Sequence, residues 1–413
     1  MKKFYLEGYG CSLNVSETEQ IAFFLENNDF KKVDSFKDAD YLIINTCSVK
    51  MTTEQRMLSR INLFLSKKKK NAKVIVTGCL ASTNTKQIEQ ISKEITVLDT
   101  KLSSLCNFLK IKNTDFSPSA GRNKSNPLIS IIPLSVGCMG NCTYCATKIA
   151  RGNLKSYSIK SINSAFKKAL THSKEIWLTS QDLGCYGFDI NTSLPALLKK
   201  LLENKGEYRI RLGMMNPNHF NKIKKGLLPL FEDERLYKFL HLPLQSGSDR
   251  ILKSMNRKYF VKEFLDCLSQ IRKIVPDMTI STDVIVGFPG ETKKEFQETL
   301  NVISVAKPNV VNISRFGKRK GTVAEKMSKQ LIESEKKDRS RTMNSFCKEL
   351  FVKQNKALLG AEFVVLVSEK NKKGFNIART NAYRPVVVLG GLGSFARVKI
   401  TSSSSTFFNG ELL

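Results

Sequence analysis

The chain has 413 residues, with 67 Lys and Arg against 37 Asp and Glu, a formal net charge of +30. That length calls for two or three domains, and 41% hydrophobic with 25% charged residues excludes a disordered chain. No apolar run reaches the roughly 18 residues of a membrane helix, the start is too short for a signal peptide, and three histidines are too few for most imidazole-built zinc hydrolases. A cytoplasmic protein is expected. Its ten cysteines, in a reducing compartment, are then metal ligands or redox groups wherever their spacing is special.

In chain order, residues 1–112 repeat one pattern three times, a strand-like apolar run followed by cysteine. The runs are Phe4-Tyr-Leu-Glu-Gly-Tyr-Gly-Cys11, Tyr41-Leu-Ile-Ile-Asn-Thr-Cys47 and Val74-Ile-Val-Thr-Gly-Cys79. Helix-like stretches between them, Ser16 to Asn27 and Thr53 to Ser66, predict an α/β domain with a parallel sheet. Strands of such a sheet end on one edge, where ligands sit, so Cys11, Cys47 and Cys79 are expected to converge. Buried core cysteine is the plainer alternative for any one of them.

A polar stretch, 113–127, reads as a linker. Residues 128–330 then alternate strand and helix six times, with strands at Ile129–Val136, Glu175–Thr179, Tyr208–Gly213, Phe239–Leu244, Met278–Val286 and Val310–Arg315. Six units suggest an open, partial (β/α) barrel, since a full ring needs eight. A charged helical connection, 331–359, leads to 360–413, whose alternating runs Glu362-Phe-Val-Val-Leu-Val, Pro385-Val-Val-Val-Leu and Ala396-Arg-Val-Lys-Ile predict a small β-barrel. Net charge divides as +5 over 1–120, +21 over 121–360 and +4 over 361–413. The excess favours nucleic acid over an anionic membrane face.

The sharpest local signal is Gly137-Cys138-Met-Gly-Asn-Cys142-Thr-Tyr-Cys145, a Cys-x3-Cys-x2-Cys loop just past the first barrel strand. Three thiolates suit zinc or an iron–sulfur cluster. Structural zinc wants four protein ligands, and no further cysteine or histidine stands within 20 residues on either side. Three ligands on a four-iron cluster leave one iron open, the arrangement that radical chemistry of S-adenosylmethionine (SAM) requires.

With these motifs in view, the chain resembles the radical SAM methylthiotransferases over nearly its whole length. The resemblance rests on Gly10-Cys11-Ser-Leu-Asn14, Asn45-Thr-Cys47-Ser-Val and Thr77-Gly-Cys79 in the first domain. In the middle it rests on the cysteine loop, Leu178-Thr-Ser-Gln-Asp182, His241-Leu-Pro-Leu-Gln-Ser-Gly-Ser248, Met255-Asn-Arg257-Lys-Tyr259 and Thr282-Asp-Val-Ile-Val-Gly-Phe-Pro-Gly-Glu-Thr292. The last domain looks like the RNA-binding TRAM barrel. Cys142-Thr-Tyr-Cys-Ala-Thr-Lys-Ile-Ala-Arg151-Gly152 is most similar to the archaeal and eukaryotic branch, which methylthiolates carbon 2 of N6-threonylcarbamoyladenosine beside the anticodon of tRNA.

The resemblance implies two 4Fe–4S clusters, one on Cys138, Cys142 and Cys145 and a second on Cys11, Cys47 and Cys79, with SAM as cofactor. It implies tRNA and an electron donor as partners, with neither membrane nor DNA. Rival substrates within the family are isopentenyladenosine in tRNA and an aspartate of a ribosomal protein. A non-catalytic iron–sulfur RNA-binding protein is the reading from another class.

Weaker candidates follow the strands. Gln181 and Asp182 follow the second strand, and Gln245, Ser246, Gly247 and Ser248 the fourth, so all six are expected to face SAM at the top of the barrel, with turn and capping chemistry as the alternative. Arg257 is a candidate for a phosphate or carboxylate. The loop after the sixth strand, Gly317-Lys318-Arg319-Lys320-Gly-Thr322, lacks the proline usual before its Gly-Thr pair and offers three basic residues to RNA. His241 reads as a satisfied core histidine. Cys106, Cys267 and Cys347 read as core thiols, and Cys185, although near the site in sequence, is given no cluster role.

Overall fold

The computed structural model describes residues 1–48, 51–112, 114–370 and 374–413, so Val49 of the second cysteine motif and Asn113 at the head of the linker lie outside the described residues. The first domain is one parallel sheet of five strands: β1 (Lys2–Gly8), β2 (Phe30–Lys32), β3 (Tyr41–Thr46), β4 (Lys73–Gly78) and β5 (Ile95–Val97), ordered β2-β1-β3-β4-β5. β2 and β5, three residues each, are too short to carry a pattern in the sequence. Leu42, Ile43 and Ile44 are all sealed because both faces are covered. Leu42 and Ile44 meet Met57, Ile61 and Phe64 of the helix Met51–Lys67, while Ile43 meets Ile21 and Leu25 of the helix Ser12–Glu26.

The stretch before the barrel is strapped along that second helix. Arg122 Nε donates to Ser16 Oγ (2.8 Å), Gln20 Nε2 to Asp115 O (2.9 Å) and Ser125 Oγ to Glu19 Oε1 (2.7 Å).

The middle domain opens with β6 (Ile129–Pro133). The sequence reads one strand to Val136, but the chain breaks after Pro133, which has no N–H to continue a ladder. A short antiparallel pair, β7 (Ser135–Val136) and β8 (Lys155–Ser156), then brackets the cysteine loop. β9 (Glu175–Thr179), β10 (Arg209–Leu212), β11 (Phe239–His241), β12 (Thr279–Val286) and β13 (Val310–Arg315) complete the arc. The order is β6-β9-β10, then β11-β12-β13, with the isolated parallel bridges Ile210 to Leu236 and Met214 to His241 joining the two halves. This is the six-stranded partial barrel expected from the alternation. The helix Glu333–Lys356 contributes Met343 and Cys347 to its core.

β14 (Glu362–Lys370), β15 (Asn376–Thr380), β16 (Pro385–Val388), β17 (Phe395–Ser403) and β18 (Phe408–Leu412) close into a barrel ordered β14-β15-β16-β18-β17 around Val365, Val367, Val386, Val398, Ile400 and Phe408. The sequence marks three of these strands; β18 falls in a tail that has no readable alternation. Among the described residues no helix is long and apolar enough to cross a membrane.

Candidate active site

The loop of Cys138, Cys142 and Cys145 is held from four directions. Gln181 Oε1, just past β9, accepts from Gly137 N–H (2.8 Å), and Lys148 Nζ donates to Cys138 O (2.6 Å). The segment Ser254-Met-Asn256 supplies the rest: Thr143 N–H and Oγ1 donate to Met255 O (3.1 Å) and Ser254 O (2.9 Å), and Asn256 Nδ2 to Asn141 O (2.8 Å). A Cβ placed on Gly140 would stand 3.4 Å from Cys138 Sγ and 3.9 Å from Cys142 Sγ, so these two sulfurs flank one point. Cys185 lies against Cys138, and its thiol holds the Cys138 thiol low, at about 7.

Arg257, a sequence candidate for a phosphate or carboxylate, is turned inward. Its guanidinium donates to Cys142 Sγ (3.4 Å), Pro243 O (3.2 Å) and Tyr259 Oη (3.1 Å). It makes no ion pair among the described residues, and an unpaired buried cation is expensive. The Cys142 sulfur is the cysteine ligand atom that it meets.

The second triplet is assembled by the sheet. Thr46 and Gly78 are paired residues at the ends of β3 and β4, so Cys47 and Cys79 emerge side by side. Gly10 and Gly78 take left-handed φ values of 109° and 92°, and close approach requires glycine at both: a Cβ would lie 2.6 Å from Cys47 Sγ at the first and 2.5 Å from Thr46 O at the second. Asn14 clamps the Cys11 turn onto β3, donating to Tyr9 O (3.0 Å) and Thr46 O (2.7 Å). Thr46 Oγ1 accepts from Leu80 and Ala81 N–H and so anchors the helix Cys79–Thr83. Burial pushes the Cys79 thiol up to about 11, against the pull of Arg151.

Arg151 joins the two sites. It ends the six-residue helix Ala146–Arg151, which starts directly after Cys145, and it donates to Cys79 Sγ (3.3 Å), Asn14 Oδ1 (3.0 Å) and both carboxylate oxygens of Glu17. At 1.5 Å per residue that helix is about 9 Å long, so one short rod separates Cys145 of the first triplet from Cys79 of the second. Arg151→Met strands the largely buried Glu17 carboxylate, so unfolding free energy is expected to fall by roughly 3 kcal/mol. Urea denaturation checks this, and adding Glu17→Gln is expected to restore most of the loss.

Sealed polar atoms without partners gather just beyond successive barrel strands: Ser135 Oγ after β6, Ser180 Oγ after β9, Asn216 Oδ1 after β10 and Gln245 Oε1 after β11. Buried polar groups ordinarily have partners, so this strand edge fits a polar ligand such as SAM. Ser48 Oγ and Ser82 Oγ are likewise unpartnered, beside Cys47 and three residues after Cys79. The donor sets are three thiols at each place; beside the first, Cys185 lies against Cys138 and groups with Asp182 and His219, whose ligand atoms lie within 4.8 Å of one another.

The remaining candidates divide. Gln245 keeps its free oxygen in a left-handed backbone (φ 70°). Asp182 is sealed, and its oxygens are taken by Gly184 N–H, Asn216 N–H and His219 Nδ1 (2.7 Å). Ser246 Oγ accepts from Ser248 N–H; Gly247 packs on Thr299, and Ser248 donates to Glu295, whose carboxyl is held down to about 2 by Arg250 and its helix cap. These last three residues serve the turn and cap. In the basic loop Arg319 turns in to pair with Glu54 of the first domain, while Lys318 and Lys320 face solvent. His241 bonds Asp283 (2.8 Å) in the barrel interior, and Cys106, Cys267 and Cys347 are buried.

Comparison with known proteins accords with this architecture. Residues 3–99 match the uncharacterized protein family UPF0004, 132–303 the radical SAM superfamily and 356–413 the TRAM domain. A protein of Pyrococcus horikoshii named probable threonylcarbamoyladenosine tRNA methylthiotransferase is 38% identical over the whole of both chains. The chain belongs to the threonylcarbamoyladenosine tRNA methylthiotransferase family. The human member is 33% identical over all of this chain and 74% of its own length. A solved radical S-adenosylmethionine methyltransferase from Kitasatospora setae, 11% identical, shares the fold at a TM-score of 0.57 over 78% of this chain and 76% of its own. As in other radical SAM domains, an iron–sulfur cluster and SAM are the cofactors of the methylthiotransferase's middle domain.

The sequence reading missed Ser135, Ser180, Asn216, Arg151 and Glu17. Arg151 and Ser180 had a signal, their places in the run that follows the cysteine loop and in the Leu178-Thr-Ser-Gln-Asp182 motif.

Proposed function

We propose that this chain replaces the hydrogen on carbon 2 of N6-threonylcarbamoyladenosine, beside the anticodon of tRNA, with a methylthio group. The observation that carries the reading is the meeting of both cysteine triplets at the two ends of one helix. Cys138, Cys142 and Cys145 hold one 4Fe–4S cluster and Cys11, Cys47 and Cys79 a second, with Gln245 and the unpartnered Ser135, Ser180 and Asn216 facing SAM while Gln181 and Asp182 brace the strand ends behind them. Bound there, the clusters and SAM supply a radical able to take hydrogen from an unactivated carbon, and a methyl group by polar transfer.

The chain's own residues do the rest. Arg257 and Arg151 bring fixed positive charge to one sulfur of each triplet, which steadies thiolate over thiol. Gln181 and the β7–β8 bracket hold the loop still, so its geometry is set before the substrate arrives. The Glu17–Arg151 contact fixes the distance between the two sites, and the base must reach both.

Anaerobically reconstituted protein, given a reductant, SAM and tRNA carrying threonylcarbamoyladenosine, is expected to yield the methylthio nucleoside; its absence with SAM still cleaved would overturn the substrate. Lys318 and Lys320, on the solvent side of the loop that Arg319 docks, are expected to contact phosphates. Changing both to Ala is expected to flatten the slope of log K against log salt by about two units. Titration of tRNA at several salt concentrations measures it.

A further inference from the structure

A cavity of about 730 Å³ lies between the barrel strands, the helix Glu333–Lys356 and the last domain. Arg211, Phe239, His241, Thr279 and Asn312 line its barrel wall, and Tyr383 and Arg384 of the last domain close its floor. His241, in its upper wall, stands two residues before Pro243, whose carbonyl accepts from Arg257 at Cys142. At about 3.3 Å per residue the cavity reaches to within roughly 7 Å of that carbonyl.

Its walls are one-sided in charge. Arg211, Lys348, Arg379 and Arg384 line it, and no Asp or Glu does. Arg379 is paired with Glu369 (2.6 Å), and Arg384 donates to Asn355 (3.4 Å). Arg211 has neither kind of partner: it makes no hydrogen bond or ion pair among the described residues, and its Nε is sealed from water. Three rings hold it by their faces, Trp177 at 5.0 Å, Tyr383 at 5.1 Å and Phe239 at 5.2 Å. Stacking uses the faces of a guanidinium and leaves its edge, the fork that fits a carboxylate or phosphate. A second sealed group, Thr279 Oγ1, lines the same cavity without a partner, on a side chain only 3% exposed.

We infer that this cavity receives the threonylcarbamoyl arm of the substrate base and that Arg211 binds its carboxylate, making Arg211 the residue that selects this base over adenosines without an acid group. The inference rests on the tRNA reading above. A phosphate of the same tRNA shares the chemistry, but His241 in the cavity wall is two residues from Pro243, whose carbonyl meets Arg257 at Cys142, the side on which the proposed function puts the modified base. Four aromatic side chains in its walls suit the arm better than a hydrated backbone phosphate.

The test compares two anticodon stem-loops that differ only in the threonylcarbamoyl group, bound to the full reconstituted protein. Wild type is expected to bind the modified loop about ten-fold more tightly, the value of one charge-assisted bidentate contact. Arg211→Gln is expected to bind both loops within about two-fold of each other, and Arg211→Lys to recover part of the preference. A third loop with the carboxylate methyl-esterified leaves the protein untouched and is expected to lose the preference on wild type, which settles the matter even if the variants misfold. Equal weakening of all loops by Arg211→Gln points to phosphate and overturns the inference, as does wild type that prefers the ester. Product formation without any preference in wild type overturns the inference alone, and no product at all overturns the proposed function with it.

Discussion

Cys142→Ala is expected to abolish formation of 5′-deoxyadenosine from SAM while the protein keeps about half its iron, roughly four atoms of eight. Cys142 is the sulfur that faces Arg257, a guanidinium with no acidic partner among the described residues. On the proposed function, removing that sulfur takes away a cluster ligand and the contact that Arg257 makes there. Cys185 is nearby, but it lies against Cys138, on the other side of Gly140. Chromatography of the reduced, anaerobic reaction reads the product, and iron analysis reads the metal. A variant that cleaves SAM at the wild-type rate would show that the radical site lies elsewhere.

Changing Cys11, Cys47 and Cys79 together to Ala is expected to give the complementary result: about four irons remain, SAM is still cleaved to 5′-deoxyadenosine, and no methylthio nucleoside forms. The separation is expected because the two triplets belong to different folding units. One sits on a loop bracketed by β7 and β8, the other on the shared edge of β1, β3 and β4. Arg151 would lose only one of its partners, Cys79 Sγ, and keep Glu17 and Asn14, so the domain interface should hold. An iron content that stays at the wild-type value would mean that these three cysteines bind no cluster.

The contrast between the triplets explains what the sequence could and could not disclose. Cys138, Cys142 and Cys145 are spaced within one loop, so their association is written locally. Cys11, Cys47 and Cys79 are far apart, but each follows a strand of one parallel sheet, and strand ends of such a sheet share an edge. Loop spacing therefore marked the first triplet and strand periodicity the second. Neither reached Arg151 to Cys79, separated by 72 residues, or Arg319 to Glu54, separated by 265. Such pairings depend on how domains dock, which leaves no repeat in either partner's neighbourhood. Arg319 illustrates the point: between Lys318 and Lys320 it looks like the middle of a basic patch, yet it alone turns inward. Arg257 was legible as a residue with a task, because Met255-Asn-Arg257-Lys-Tyr259 is a motif, but the task was misread. The motif straps the cysteine loop, and its arginine faces the Cys142 sulfur, where the sequence offered it to a carboxylate or phosphate.

The +30 charge places no single residue at RNA, and the base it serves is best identified chemically. Mass spectrometry of nucleosides from tRNA of cells that lack this protein is the most direct measurement. The expected result is N6-threonylcarbamoyladenosine at full level with its 2-methylthio form gone; an undiminished level of the methylthio form in those cells would contradict the proposed function.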